Sequence, residues 1–246
     1  NLAHNEHDIK EMKRRISANR LNGLDTVWLD TKEIKKLVPI MNADNLRYPV
    51  LGAAYQPRGG VARHDAIAWG FAMRADEMGV DIIQNCEVKN IKTNNNKIEG
   101  VETSKGFIKA GKVAVVASGH TSVLAKTAGV RLPLQSRPLQ ALVSEPIKPV
   151  INTVVMSNAV HAYVSQSDKG ELVIGAGTDG YNSFTQRGGY DVIEETVRAI
   201  VELYPIFGKM KMLRQWGGIV DICPDASPII SKCEVGGLYF NCGWGT

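Results

Sequence analysis

The sequence predicts a mixed α/β (α+β) fold in two parts: part of a dinucleotide-binding domain, then a domain built on an antiparallel sheet. Three observations carry this. From Arg58 to Gln84 a glycine-rich opening leads into apolar residues at helical spacing and then a short apolar run. From Cys86 to Gly119 a small meander follows and ends in a strand running into Ser118-Gly119. From Arg137 the pattern shifts to short alternating segments punctuated by turn residues. With 246 residues the chain can bury a sizeable core, as one large domain or two small ones.

In chain order, Asp8 to Asn19 places Ile9, Met12 and Ile16 on one face, an amphipathic helix. Asp30-Thr31-Lys32-Glu33 has capping-box spacing for a second, short helix that Pro39 ends. Residues 41 to 60, with Pro49, Gly52 and Pro57, read as irregular. In the next helix Asp65 is the N-cap candidate, Ile67, Phe71, Ala72, Ala75 and Met78 recur at helical spacing, and Gly79 ends it. Val80-Asp81-Ile82-Ile83 is then expected as a short, largely buried strand. His64 thus lies beside a helix N-terminus, where free N–H groups and the dipole favour an anion. Its plain alternative is a capping role.

Cys86 to Thr93 and Ile98 to Thr103 are expected strands around an Asn94-Asn95-Asn96-Lys97 turn, followed by Phe107-Ile108-Lys109 and Val113 to Ala117. Gly119 suits a turn that brings backbone close to a ligand, and Thr121 or Ser122 starts the next helix. Leu139 to Ser144, Val154 to Met156, Ala162 to Ser165 and Leu172 to Ala176 are the antiparallel strands, with Ser167-Asp168-Lys169-Gly170 as the hairpin. Asp191 to Tyr204 is a strong amphipathic helix, and Met210 to Asp221 and Leu238 to Cys242 are later strands.

Gly175-Ala176-Gly177-Thr178-Asp179-Gly180 matches the G-x-G-x-x-G dinucleotide pattern, with Glu195 at the expected distance. That motif requires a helix opening inside the loop. Here Tyr181-Asn182-Ser183 and Arg187-Gly188-Gly189 intervene, so a glycine-rich strand end is the better reading. No other fingerprint occurs in the sequence.

Composition excludes several classes. Apolar residues make up 44% and charged residues 22%, ordinary for a globular protein. A net charge of +4, with Lys13-Arg14-Arg15 and Lys35-Lys36 inside helical patterns, describes solvated helix faces and not a nucleic-acid surface. No apolar run approaches the roughly 20 residues needed to span a bilayer. Cys86, Cys223, Cys233 and Cys242 form no metal-binding spacing and are expected as reduced, mostly buried thiols of a cytoplasmic protein, placed within strand-like stretches.

The words Ala18-Asn19-Arg20-Leu21-Asn22-Gly23, Gln56-Pro57-Arg58-Gly59-Gly60, Arg63-His64-Asp65-Ala66, Ala117-Ser118-Gly119-His120, Arg137-Pro138-Leu139-Gln140, Arg214-Gln215-Trp216 and Cys242-Gly243-Trp244-Gly245-Thr246 recur here in order. In order and spacing the sequence resembles the β subunits of heterotetrameric sarcosine oxidases, flavoenzymes of the D-amino-acid-oxidase-like superfamily. The resemblance covers nearly the whole chain. It implies an internal fragment of a longer subunit, with the FAD pyrophosphate loop and a functional lysine lying outside these 246 residues.

The resemblance further implies FAD contacts at Val88, at Ala117, Ser118 and Gly119, and at Gly243, Gly245 and Thr246. It implies covalent FMN on His64, with Arg63 or Arg58 adding positive charge, and Arg214 near the FMN. His120 follows at the cofactor edge. The implied layout assigns 1–50 to part of the substrate domain with connecting helices and 51–136 to the second half of the FAD-binding domain. It assigns 137–236 to the antiparallel substrate domain and 237–246 to a return strand. The implied activity is oxidation of a secondary or tertiary N-methyl amine such as sarcosine. Hydride would pass to FAD and electrons to FMN and oxygen, yielding an imine and hydrogen peroxide, in a complex with α-, γ- and δ-type subunits. Alternatives are a related dimethylglycine or proline dehydrogenase subunit, or a non-catalytic assembly module.

Overall fold

Polar caps and turn residues set the boundaries of many of the elements. The structure, a computed structural model, describes residues 1–44 and 47–245, with the Ala176 side chain outside that description. Its elements are β1 (Leu2–Ala3), α1 (Glu6–Leu21), β2 (Val27–Leu29), α2 (Thr31–Leu37), β3 (Gly52–Tyr55), α3 (His64–Glu77), β4 (Val88–Asn94), β5 (Lys97–Thr103), β6 (Gly106–Lys109) and β7 (Val113–Val115). They continue with α4 (Thr121–Thr127), β8 (Gln135–Pro146), β9 (Val155–Ser157), β10 (Ala162–Gln166), β11 (Glu171–Thr178), α5 (Tyr190–Leu203), β12 (Met212–Ile222), β13 (Ile229–Lys232) and β14 (Leu238–Cys242).

The chain divides into two units. The first comprises Asn1–Val61, Leu139–Asp179 and Gln186–Gly217; the second comprises Ala62–Pro138, Gly180–Thr185 and Gly218–Thr246. An eight-stranded sheet in the order β12-β8-β11-β10-β9-β1-β3-β2 supplies the first unit's frame. Its pairs run antiparallel from β8 to β9 and from β1 to β2, with a parallel step between β9 and β1. Helix α5 buries Ala199, Ile200 and Leu203 in a core with Leu142, Val164, Leu172 and Ile174. Helix α1 buries Met12 and Ile16, as their spacing predicts, and Asn5 caps it by accepting from the Asp8 N–H. Asp30 and Glu33 form the reciprocal capping box on α2.

In the second unit, β4, β5 and β6 form an antiparallel meander, and β13, β14 and β7 form a second sheet in which β14 and β7 are parallel. Asn95 and Asn96, at φ 47° and 59°, make the β4–β5 turn; asparagine tolerates this left-handed region better than most residues. Ile91, Val115, Leu238, Phe240 and Cys242 anchor the second unit's core.

Several expectations change. Residues 41 to 60 contain β3, and β1, β2 and β13 were not anticipated. Val80 to Ile83 is neither a strand nor buried: no strand among the described residues borders it, and a buried extended segment needs ladder partners for its N–H and C=O groups. Helix α3 forms but buries none of its residues, and Phe71 is 77% exposed. It begins at His64 with Arg63 at the cap position, not at Asp65, and no side chain caps it. Gly79, at φ 85°, closes it as expected. Of the four cysteines, all free, only Cys242 lies in a strand; Cys223 and Cys242 are buried, and Cys86 and Cys233 half-buried.

Candidate functional site

Parallel strands bring their carboxyl ends to one edge, and crevices there are where open α/β sheets hold ligands. In the second unit β7 and β14 are such a pair, with Val115 level with Phe240. Past β7 the chain turns through Ala117 into a 3-10 turn, Ser118–His120, and then α4. Past β14 it turns through Gly243, Trp244 and Gly245.

Both turns need unusual backbone. Ser118 sits at φ 45°, Gly243 at 75° and Gly245 at 60°. A Cβ on Gly243 would lie 2.5 Å from Cys223 Sγ and 3.3 Å from Leu134 Cδ2, so only glycine fits there without displacement. Gly119 is excluded from carrying a side chain for a different reason: its Cβ would meet Ile219 Cγ2 at 2.3 Å. Its carbonyl accepts from Ser136 Oγ at 2.6 Å, and Thr121 Oγ1 accepts from the Ala117 N–H at 3.3 Å.

The segment Ile219 to Asp221 joins the two turns. Asp221, 3% exposed, accepts from the Gly243 N–H through Oδ2 at 2.5 Å and from Ser118 Oγ through Oδ1 at 3.3 Å. Its carbonyl accepts from the Gly245 N–H at 3.0 Å. Burial, and next the Asp221 charge, push the Cys242 thiol up to about 11, so it stays neutral at physiological pH. His120 is exposed and packs its ring against Phe184 at 5.1 Å between centroids.

Ala117, Ser118, Gly119, Gly243 and Gly245 are therefore brought together, and Thr246 lies outside the described residues. The others lie on other elements. Val88 opens β4, opposite Thr103, in the meander and not in the β7–β14 sheet. Arg63 and His64 are exposed at the start of α3. Arg214, in the first unit, is exposed and holds its guanidinium over the Trp216 ring at 5.3 Å, so it bears no burial cost. Asp221 was missed. Its signal was a carboxylate inside the apolar stretch Gly217 to Cys223, where burial demands partners.

Two further features belong to the first unit. Asp25 and Thr26 knit together the words at Asn19-Arg20 and Gln56-Pro57-Arg58: Gln56 and Arg58 donate to Asp25, Asn19 donates to Thr26 Oγ1, which itself donates to Gln56, and Arg20 donates to the Thr26 carbonyl. This network edges a cavity of about 940 Å³ that Arg15, Gln56, Gly60, Asn152 and Gln166 also line. The glycine-rich run at Gly175 is a strand end: Gly175 packs under the Tyr163 ring, Gly177 under Val192, and the following helix waits until Tyr190. Among the described residues no cluster of histidine, cysteine or carboxylate side chains suits a metal ion, and no helix is long and apolar enough to cross a membrane.

The family described as FAD dependent oxidoreductase matches residues 1–246. The chain is 56% identical over 245 residues to the sarcosine oxidase subunit beta of Rhodobacter capsulatus and 58% identical over 247 residues to that of an Arthrobacter species. It is covered completely in both alignments and spans 59% and 61% of those relatives' lengths. Among solved structures, L-proline dehydrogenase from P. horikoshii superposes with a TM-score of 0.90 at 28% identity, covering 99% of this chain and 66% of that one. Glycine oxidase from Geobacillus kaustophilus superposes with a TM-score of 0.84 at 21% identity, covering 99% and 64%, a likeness of fold.

Proposed function

The chain belongs to the FAD-dependent oxidoreductase family, and from that premise we propose that it is the flavin-holding part of a sarcosine-oxidase-like β subunit. One observation carries the reading: two glycine-containing turns, joined through Asp221, follow the carboxyl ends of parallel β7 and β14, in a chain more than half identical to such subunits. A cradle of the small residues Ala117, Ser118, Gly119, Gly243 and Gly245 suits FAD because short side chains let a planar cofactor lie close to main chain at the carboxyl ends of parallel strands. Thr246 and Val88 complete the set that the family resemblance assigns.

The flavins would supply the redox chemistry when bound: a secondary N-methyl amine such as sarcosine gives up a hydride and its N–H proton to become an imine, a tertiary one gives up a hydride to become an iminium ion, and oxygen takes the electron pair with two protons to give hydrogen peroxide. The protein's part is placement and electrostatics. His64 is the assigned covalent anchor for FMN, since a neutral imidazole nitrogen is nucleophilic towards an activated flavin methyl group. The amides at the start of α3 and the nearby Arg63 suit a phosphate. Arg214 is assigned to the FMN as a source of positive charge. Arg58, which donates from Nε to Asp25, is the alternative source of positive charge. On this reading residues 51–136 are half of the FAD domain, 137–236 form the substrate domain, and the subunit works in the cytoplasm with α-, γ- and δ-type partners.

In the assembled complex, His64→Ala should abolish flavin that survives denaturant precipitation, while dissociable FAD and amine-dependent flavin reduction persist. A mutant β subunit that still carries covalent flavin by mass would move the anchor elsewhere. The structural likeness to L-proline dehydrogenase favours a second reading, a dehydrogenase subunit acting on a cyclic amino acid. Anaerobic bleaching of the flavin by L-proline and not by sarcosine would select it.

A further inference from the structure

A buried carboxylate is costly unless its oxygens are used, and Asp221 spends its side chain and its carbonyl on the two turns of the cradle. The Gly243 N–H reaches Oδ2, the Ser118 hydroxyl reaches Oδ1, and the Gly245 N–H reaches the main-chain oxygen. Ser118 and Asp221 are 103 residues apart in sequence, so the link closes a long loop. Ser118 is also a non-glycine residue with positive φ, a conformation that surrounding contacts must hold. Two residues earlier in the strand, Ile219 presses against Gly119 closely enough to exclude any side chain there.

We propose that Asp221 is a positioning residue of the flavin cradle, clasping the Ser118 and Gly243 turns in the geometry that receives the isoalloxazine end of FAD. The proposal rests on the FAD reading above. Asp221 acts through the turns and not by contact. Because the Gly243 N–H is already donated to Asp221, that amide orients the turn and is not itself a ligand to the cofactor. A neutral amide of the same shape can do the clasping, since an asparagine oxygen accepts from Gly243 while its NH₂ donates to Ser118 Oγ.

The test uses the full-length subunit in its assembled complex. FAD dissociation and the visible spectrum of the bound flavin are measured for the parent, Asp221→Asn and Asp221→Ala, with hydrogen exchange followed at the Gly243 amide. Asp221→Ala should weaken FAD retention by about tenfold or more, speed exchange at Gly243 and shift the flavin band, because both side-chain links are lost. Asp221→Asn should restore retention and spectrum to near the parent's. A parent complex without FAD would defeat the FAD reading itself. A parent with FAD, joined by an Asp221→Ala variant of equal retention and unchanged spectrum, would overturn the clasp alone. An Asp221→Asn variant as weak as Asp221→Ala would overturn it too, by making charge the requirement. Should Asp221→Ala not fold, Ser118→Ala removes one arm only: faster exchange at the Gly243 amide together with faster FAD loss supports the clasp, and unchanged exchange at Gly243 refutes it.

Discussion

The Arg58 guanidinium donates to Asp25 at 3.0 Å, and Gln56 donates to the other carboxylate oxygen at 2.7 Å. One aspartate thereby ties down both polar side chains of the Gln56-Pro57-Arg58 word. It also fixes the chain a few residues before Arg63-His64. A local frame thus holds that word, with Arg58 donating from Nε to Asp25.

Asp25 makes the first prediction, about acid stability. Burial pushes its carboxyl up, but hydrogen bonds from Gln56 and its own backbone and the charge and hydrogen bond of Arg58 outweigh this, leaving it below the ordinary aspartate range. A depressed folded value means that the folded chain gives up this proton at lower pH than the unfolded one. The stability it contributes is complete above the ordinary aspartate range and is lost as pH falls through the folded value. Asp25→Asn should therefore flatten the fall of Tm below about pH 4. Parallel Tm–pH curves for parent and variant would show that the link contributes nothing.

A second prediction comes from Tyr204. Its side chain is fully buried, its ring stacks on Phe207 at 5.2 Å, and its hydroxyl has no partner among the described residues. Burial accordingly pushes its phenol above the usual range. Replacing an unpaired buried hydroxyl with hydrogen removes a desolvation cost, so Tyr204→Phe should be neutral or stabilising by up to about 1 kcal/mol. Tyr204→Ala, which empties the site, should cost about 3–5 kcal/mol. Denaturant midpoints at constant slope measure both. A loss above about 1 kcal/mol for Tyr204→Phe would mean that the hydroxyl is bonded in solution.

What the sequence revealed and what it hid divide along a physical line. The Asp30–Glu33 capping box, the Asn95-Asn96 turn and the Gly79 helix stop are decided by residues within a few positions of one another, and all three are present. Strands β1, β2 and β3 have two to four residues each and exist only because they pair across distance, Leu2 with Ala53 and Val27 with Tyr55. Local pattern cannot select them. Val80 to Ile83 has the composition of a buried strand, but composition does not supply a ladder partner. The cradle turns were legible as glycines after strands. The carboxylate that joins them was not, because its partner Ser118 lies more than a hundred residues away.

The last prediction separates glycines that are required from one that is not. Gly243 sits at φ 75°, a region that costs a residue with a Cβ about 1–2 kcal/mol. Its added methyl would also press on Cys223 Sγ at 2.5 Å and Leu134 Cδ2 at 3.3 Å, in a core where overpacking typically costs about 1–3 kcal/mol. Gly243→Ala should accordingly destabilise the protein by about 2–5 kcal/mol and loosen FAD retention in the assembled complex, the second effect because the turn and its bond to Asp221 shift together. Gly180 closes the G-x-G-x-x-G match but has open space at its Cβ position and an ordinary φ. Gly180→Ala should change stability by no more than about 0.5 kcal/mol, leave FAD retention untouched, and leave NAD binding absent before and after. NAD affinity in the parent that Gly180→Ala removes would restore the rejected motif. A Gly243→Ala variant as stable as the parent would mean that Cys223 yields and that the turn tolerates a side chain.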